Sequence, residues 1–185
     1  DAYEALIDHV KQEALLGSCA GVLGWDEQTY MPKGGGEHRA EQLALLSGMV
    51  HERFTMPQLG AWLQAVEGSE VVAEQHSVEA VNVREIRRAY DRAVKLPKSL
   101  VEEMARVTTL AQQAWVEARK ASDFSAFKPH LAKVLDLKKQ EIAALGRGET
   151  AYDTLLDEYE PGETTGNLTR VFSTLRERSE EHTSE

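Results

Sequence analysis

From Ala2 onward, apolar residues return every three or four positions along almost the whole chain, and no stretch alternates apolar and polar residues in twos. Three-and-four spacing places side chains on one face of a helix, whereas a half-buried strand needs a period of two. The chain is therefore expected to be all-α, built of amphipathic helices joined by short turns.

The pattern divides at recognisable start and stop signals. Tyr3, Leu6, Ile7, Val10, Ala14 and Leu15 mark a long first helix whose pattern continues to Trp25. It halts at Met31-Pro32 and the glycines Gly34 to Gly36, then resumes through Ala40, Leu43, Ala44, Leu46 and Val50 to about Phe54. Thr55 is expected to cap a third helix, with Pro57 in its first turn and Leu59, Trp62, Leu63 and Val66 facing inward. Gly68-Ser69 ends it. A longer helix is expected from Glu70 to Val94, with Val71, Val78, Val81, Ile86 and Tyr90 as core positions. Pro97 opens the next, which reaches about Ala121; Ser122-Asp123 starts another, interrupted by Pro129 and closed by Gly146. A short helix from Ala151 to about Tyr159 and a last one from Thr165 complete the series.

Charge narrows the partners. Lys and Arg number 21 against 31 Asp and Glu, a net charge of −10, and the basic residues are dispersed. A nucleic-acid surface is excluded on that ground, because phosphate recognition needs a basic patch. No apolar run approaches the ~18 residues of a membrane span, and no basic-then-apolar leader is present. A soluble, cytoplasmic protein with no membrane partner is expected. Cys19 has no second cysteine to pair with, and among Ala20, Val22 and Leu23 it is expected to be a small buried hydrophobe. Trp25, Trp62 and Trp115 are likewise assigned to the core by their helical spacing with Leu and Val.

Tests for catalytic constellations return no complete set. The residues three before His9, His38, His51, His76, His130 and His182 are Leu6, Gly35, Gly48, Ala73, Phe127 and Ser179, so no Glu-x-x-His pair exists for a carboxylate-bridged di-iron bundle. No two histidines stand four apart, and the zinc-peptidase motif His-Glu-x-x-His is absent; His51-Glu52 begins it but continues as HERFT. Glu74, His76 and Glu79 fall on different sides of a helix and read as a solvated face. Pro32 to Gly36 lacks the Gly-Lys-Ser/Thr ending of a phosphate loop and reads as a tight connection. Asp26, Thr29 and Arg39 are expected to cap helix ends and hold that connection. Asn167-Leu168-Thr169 fits a glycosylation acceptor without a secretory context. No catalytic, cofactor-binding or metal-binding residue is assigned.

Identity comes from longer blocks. Gly24-Trp25-Asp26-Glu27-Gln28-Thr29-Tyr30-Met31-Pro32, followed by Gly36, Arg39 and Gln42, resembles the N-terminal signature of the thermostable zinc metallocarboxypeptidases, the carboxypeptidase Taq family. The blocks 82–103 (NVREIRRAYDRAVKLPKSLVEE), 114–139 (AWVEARKASDFSAFKPHLAKVLDLKK) and 151–162 (AYDTLLDEYEPG) resemble the family in order and spacing. The resemblance implies the N-terminal helical part of a larger, cleft-type zinc peptidase fold. It also implies one zinc held by two histidines of His-Glu-x-x-His and a downstream glutamate, peptide substrates shortened from their C-termini, and a homodimer. Those motif positions lie beyond this chain, so none is carried onto its residues, and the chain alone is expected to be inactive. A stand-alone helical binding or scaffold module is the alternative. Residues 1–177 are expected to be the truncated family region. Residues 178–185, RSEEHTSE, read as the in-frame translation of a sequencing-library adapter, a non-native tail that would include His182.

Overall fold

The structure, a computed structural model, describes residues 1–146 and 148–182, with side chains described as far as residue 176. Among the described residues all regular structure is helical: α1 (Ala2–Thr29), α2 (Gly36–Phe54), α3 (Pro57–Glu67), α4 (Val78–Ala93), α5 (Lys98–Lys120), α6 (Phe124–Leu145), α7 (Ala151–Leu156) and α8 (Thr165–His182). Short 3-10 turns stand at Lys33–Gly35 and Glu70–Val72. The chain divides into two compact units, Asp1–Lys138 and Lys139–Glu185.

Local chemistry accounts for several helix ends. Asp1 and Glu4 form a reciprocal capping box at the start of α1, with the Glu4 N–H donating to Asp1 Oδ1 at 2.8 Å. Ser77 caps α4 by accepting from the Ala80 N–H at 3.1 Å. Gly146 ends α6 at φ +90°, a left-handed conformation that a Cβ would penalise.

Three boundaries differ from the sequence expectation. The helix expected from Glu70 to Val94 begins only at Val78, after a 3-10 turn and a bend; Ser77 caps it, whereas the Ser69 hydroxyl ahead of Glu70 donates back to the Val66 carbonyl. Val71 and Val78, placed in the core by periodicity, are 40% and 69% exposed in consequence. Thr55 does not cap α3: its hydroxyl donates to the His51 carbonyl at the end of α2, and Met56 occupies the N-cap position ahead of Pro57. α7 stops at Leu156, three residues short of Tyr159.

In the first unit, Leu6 of α1, Leu59, Leu63 and Val66 of α3 and Val83 of α4 form the buried core, with Tyr3, Phe54, Trp62, Ile86 and Tyr90 packed around it. Asn82 reaches across from α4 to donate to the Tyr3 hydroxyl at 3.1 Å. The second contact system pairs α2 with α5, and it is antiparallel: Gly36 meets Gln113, Glu41 meets Arg106, Gly48 meets Glu102, and Glu52 meets Lys98. Gly36, Ala40, Ala44 and Gly48, four apart and all buried, line the α2 side of that seam. Their small size sets the approach: a Cβ at Gly36 would lie 1.8 Å from Gln113 Oε1, and one at Gly48 2.1 Å from Glu102 Oε1.

The second unit is organised on Asp153, which is 8% exposed. Its carboxylate accepts from the Thr165 hydroxyl, from the Thr165 N–H at 2.7 Å and from the Thr150 N–H at 2.8 Å, joining the start of α7 to that of α8. These donors, Thr165 first, hold its pKa down to about 2 from 3.8. A folded value below the unfolded one stabilises fully above the unfolded value and fades as pH falls through the folded value. The start of α8 is therefore expected to lose order between about pH 4 and pH 2. Amide spectra of Thr150 and Thr165 recorded across that window check it. In Asp153→Asn the two amides should be insensitive to acid.

Candidate functional site

The stretch between α1 and α2 concentrates the unusual chemistry of the chain. Arg39, its side chain only 11% exposed, donates through Nη2 to Asp26 Oδ2 at 2.7 Å, through Nε to Gln42 Oε1 at 3.1 Å, and through Nη1 to the Leu23 carbonyl. One guanidinium thus ties the last turns of α1 to the first turn of α2, the geometry a planar five-donor group serves well. Thr29 donates back to the Trp25 carbonyl, and Gln113 of α5 reaches Glu27 at 3.5 Å. Asp26 and Arg39 therefore hold the connection, as expected, whereas the Thr29 hydroxyl bonds back within α1.

The glycines of this connection have different roles. None of Gly34, Gly35 and Gly36 has positive φ. Gly36 is required by the approach of Gln113, Gly35 packs on the Met31 side chain, and Gly34 borders open space. This is a tight turn and not an anion cradle.

A second polar cluster, which no sequence motif announces, joins α1 to α2 through residues 40 positions apart. Glu13, 5% exposed, accepts from Arg53 Nε at 2.5 Å, and His9 Nε2 lies 3.6 Å from the same carboxylate oxygen. Because the Arg53 carbonyl can only accept, His9 Nε2 must carry the proton it donates there at 3.1 Å. The imidazole stacks obliquely on Trp62 at 5.7 Å. The other carboxylate oxygen of Glu13 is buried with no partner among the described residues.

Several sequence assignments move outward. Cys19 is exposed, its thiol directed at the Leu15 carbonyl 3.5 Å away. Trp25 is 59% and Trp115 41% exposed; only Trp62 joins the core. Trp25 leans on exposed Tyr30 with ring centroids 5.5 Å apart. Trp115 carries the Arg119 guanidinium over its ring and lines an open hollow of about 370 Å³ with Phe124 and Phe127. The burial expected for Cys19, Trp25 and Trp115 is thus not met among the described residues.

The zinc implied by the resemblance has no fitting set of ligands here. Among the described residues no three His, Cys, Asp or Glu side chains stand where they could hold a metal ion. Glu74 and His76, expected on one helix with Glu79, instead lie exposed in the bend before α4. No helix among the described residues has the length and apolarity to cross a membrane.

Comparison with known proteins supplies what the site chemistry does not. The family described as carboxypeptidase Taq (M32) metallopeptidase matches residues 5–184. Thermostable carboxypeptidase 1 of Thermus thermophilus is 40% identical over 185 residues, covering 95% of this chain and 36% of its own. Thermostable carboxypeptidase 1 of Pyrococcus furiosus is 34% identical, covering 88% of this chain and 32% of its own. The crystal structure of BsuCP superposes with a TM-score of 0.88 at 28% identity, over 95% of this chain and 35% of that one. The chain spans about a third of the length of the relatives it matches. With the match running through nearly all of its helices, the chain belongs to the carboxypeptidase Taq (M32) metallopeptidase family.

Proposed function

We propose that this chain is the N-terminal third of a zinc-dependent metallocarboxypeptidase that removes C-terminal residues from peptides, and that it forms a wall or cover of the substrate cleft. The observation that carries this reading is coverage: a family match from residue 5 to 184 that accounts for only 36% of the Thermus thermophilus relative. The whole enzyme is a cytoplasmic homodimer in this reading, with zinc, the water-activating base and the peptide-binding groups supplied by the other two thirds. The third in hand offers no ligand set among its described residues and is inactive alone in this reading.

Residues 1–177 are the family region in this account and 178–185 a non-native tail. Residues 183–185 and the side chains of 178–182 lie outside the described residues. The family match runs through this segment to residue 184, so the tail reading rests on the adapter translation alone. A codon run for RSEEHTSE that differs from the adapter sequence overturns it.

A self-sufficient helical module is the rival, and the surface argues against it. Leu15, Val22, Trp25, Tyr30, Leu45, Phe124, Tyr152, Tyr159, Phe172 and Leu175 are each more than half exposed. Isolated exposed apolar residues are ordinary, but this many on one short chain leave large faces unpacked. The chain alone is expected to bind a hydrophobic dye in its folded state and to self-associate on size exclusion as concentration rises. A monodisperse, dye-silent monomer would support the module instead.

A further inference from the structure

The break that delays α4 also makes a hollow. Val72, Gln75 and His76 of the turn and bend line it on one side and α4 on the other, enclosing about 480 Å³. That is the size of a small-ligand site. On a chain of net charge −10, the polar lining is mostly basic: Arg84, Arg87 and the imidazole of His76, with Glu67 the one acid among the described lining residues.

Glu67 is already committed. Arg87 donates to both of its oxygens, from Nε at 2.7 Å and from Nη2 at 2.9 Å, which offsets the acid and fixes the guanidinium. Its Nη1 is left with exposed Asp91 at 3.5 Å, the outer limit of a hydrogen bond. Arg84 is looser still. Its Nε donates at 3.2 Å to the adjacent Glu85, with both side chains well exposed, and its terminal nitrogens have no partner among the described residues. An exposed pair of that kind contributes little and is readily exchanged.

Arg84 and Arg87 stand about one turn apart on α4, on the face that also carries Ala80 and buried Val83. Two guanidinium groups therefore border an apolar floor of Val72, Ala80 and Val83. A bare oxyanion would leave the floor unused, and a neutral hydrocarbon would leave the guanidinium groups unused. We infer that this hollow binds an aliphatic carboxylate, its carboxylate between Arg84 and Nη1 of Arg87 and its hydrocarbon on Val72, Ala80 and Val83. A free branched-chain acid and the C-terminal end of a peptide both present that chemistry. The inference does not depend on the reading of this chain as an N-terminal third.

Equilibrium dialysis against this chain tests it, because dialysis reads binding whether or not the chain self-associates. Isocaproate stands for the free acid and N-acetyl-leucine for the peptide end; saturable binding of either supports the site, and the tighter of the two names the source. N-acetyl-leucine amide, which lacks the carboxylate, and inorganic phosphate, which lacks the hydrocarbon, are each expected to bind at least about tenfold more weakly. Arg84→Gln is expected to weaken carboxylate binding about tenfold, the usual consequence of losing a charged hydrogen bond. Ala80→Leu fills the floor and leaves both guanidinium groups in place, and it is expected to abolish saturable binding. Arg119→Gln, on α5, is expected to bind as the unaltered chain does. No saturable binding of either carboxylate overturns the inference, as does binding undiminished in Arg84→Gln and Ala80→Leu. Phosphate bound as tightly as the carboxylates overturns the assignment to an aliphatic ligand.

Discussion

Replacing Leu63 with alanine is expected to destabilise the first unit by about 3 kcal/mol, enough to unfold a large share of a small helical domain near its working temperature. Leu63 is fully buried, as are Leu6 and Leu59 beside it, and the cluster is closed by Val66 and Val83. Three helices share this one core, so a cavity at Leu63 removes contacts from each of them. Urea titration followed by helical circular dichroism checks the value from the midpoint at constant slope. Leu15→Ala is the comparison. With Leu15 68% exposed, its truncation should stay within about 0.5 kcal/mol. Similar losses for the two would contradict the placement of the core.

Removing the guanidinium of Arg53 is the second change with a large effect. Glu13 is buried and one of its oxygens has no partner among the described residues, so Arg53 Nε at 2.5 Å is the main compensation for its charge. Arg53→Met keeps most of the apolar stem and deletes the charge; a loss of about 3 kcal/mol is expected, the usual consequence of orphaning a buried ion. Replacing both partners, with Glu13→Leu added to Arg53→Met, should recover most of it, because no desolvated charge then remains. Arg106→Ala sets the lower bound. Arg106 also pairs bidentately, but its partner Glu41 is 61% exposed, and the variant should lose less than about 1 kcal/mol. If the double variant is no more stable than Arg53→Met, the pair is not an isolated buried charge system.

Helix number and order are legible in the amino-acid pattern because apolar spacing, Pro57, Pro97 and Gly146 are all local signals. The start of α4 is misread for a local reason as well: Val71 and Val78 continue the spacing, while the Ser77 cap carries the true boundary. Exposure is not legible in the same way. Periodicity says that Trp25, Trp115 and Leu15 lie on apolar faces, but whether a face is covered is decided by long-range packing that local spacing does not encode. The four-residue repeat Gly36, Ala40, Ala44, Gly48 was a readable sign of a close helix pair, although α5 as the partner was not. Glu13 and Arg53 are 40 positions apart in sequence, and nothing local to either announces the pair. The signature stretch identified the family through Asp26 and Arg39, whose observed work is to hold two helices together.

The central claim, that this chain is one third of an enzyme whose chemistry lies in the rest, is tested most directly by an activity measurement. Zinc-dependent release of the C-terminal residue from a synthetic peptide is followed for the chain alone, and for residues 1–177 joined to the unmatched two thirds of the Thermus thermophilus relative. No release by the chain alone at any zinc concentration, and chelator-sensitive release by the joined protein, is the predicted result. Chelator-sensitive release by the chain alone contradicts the account.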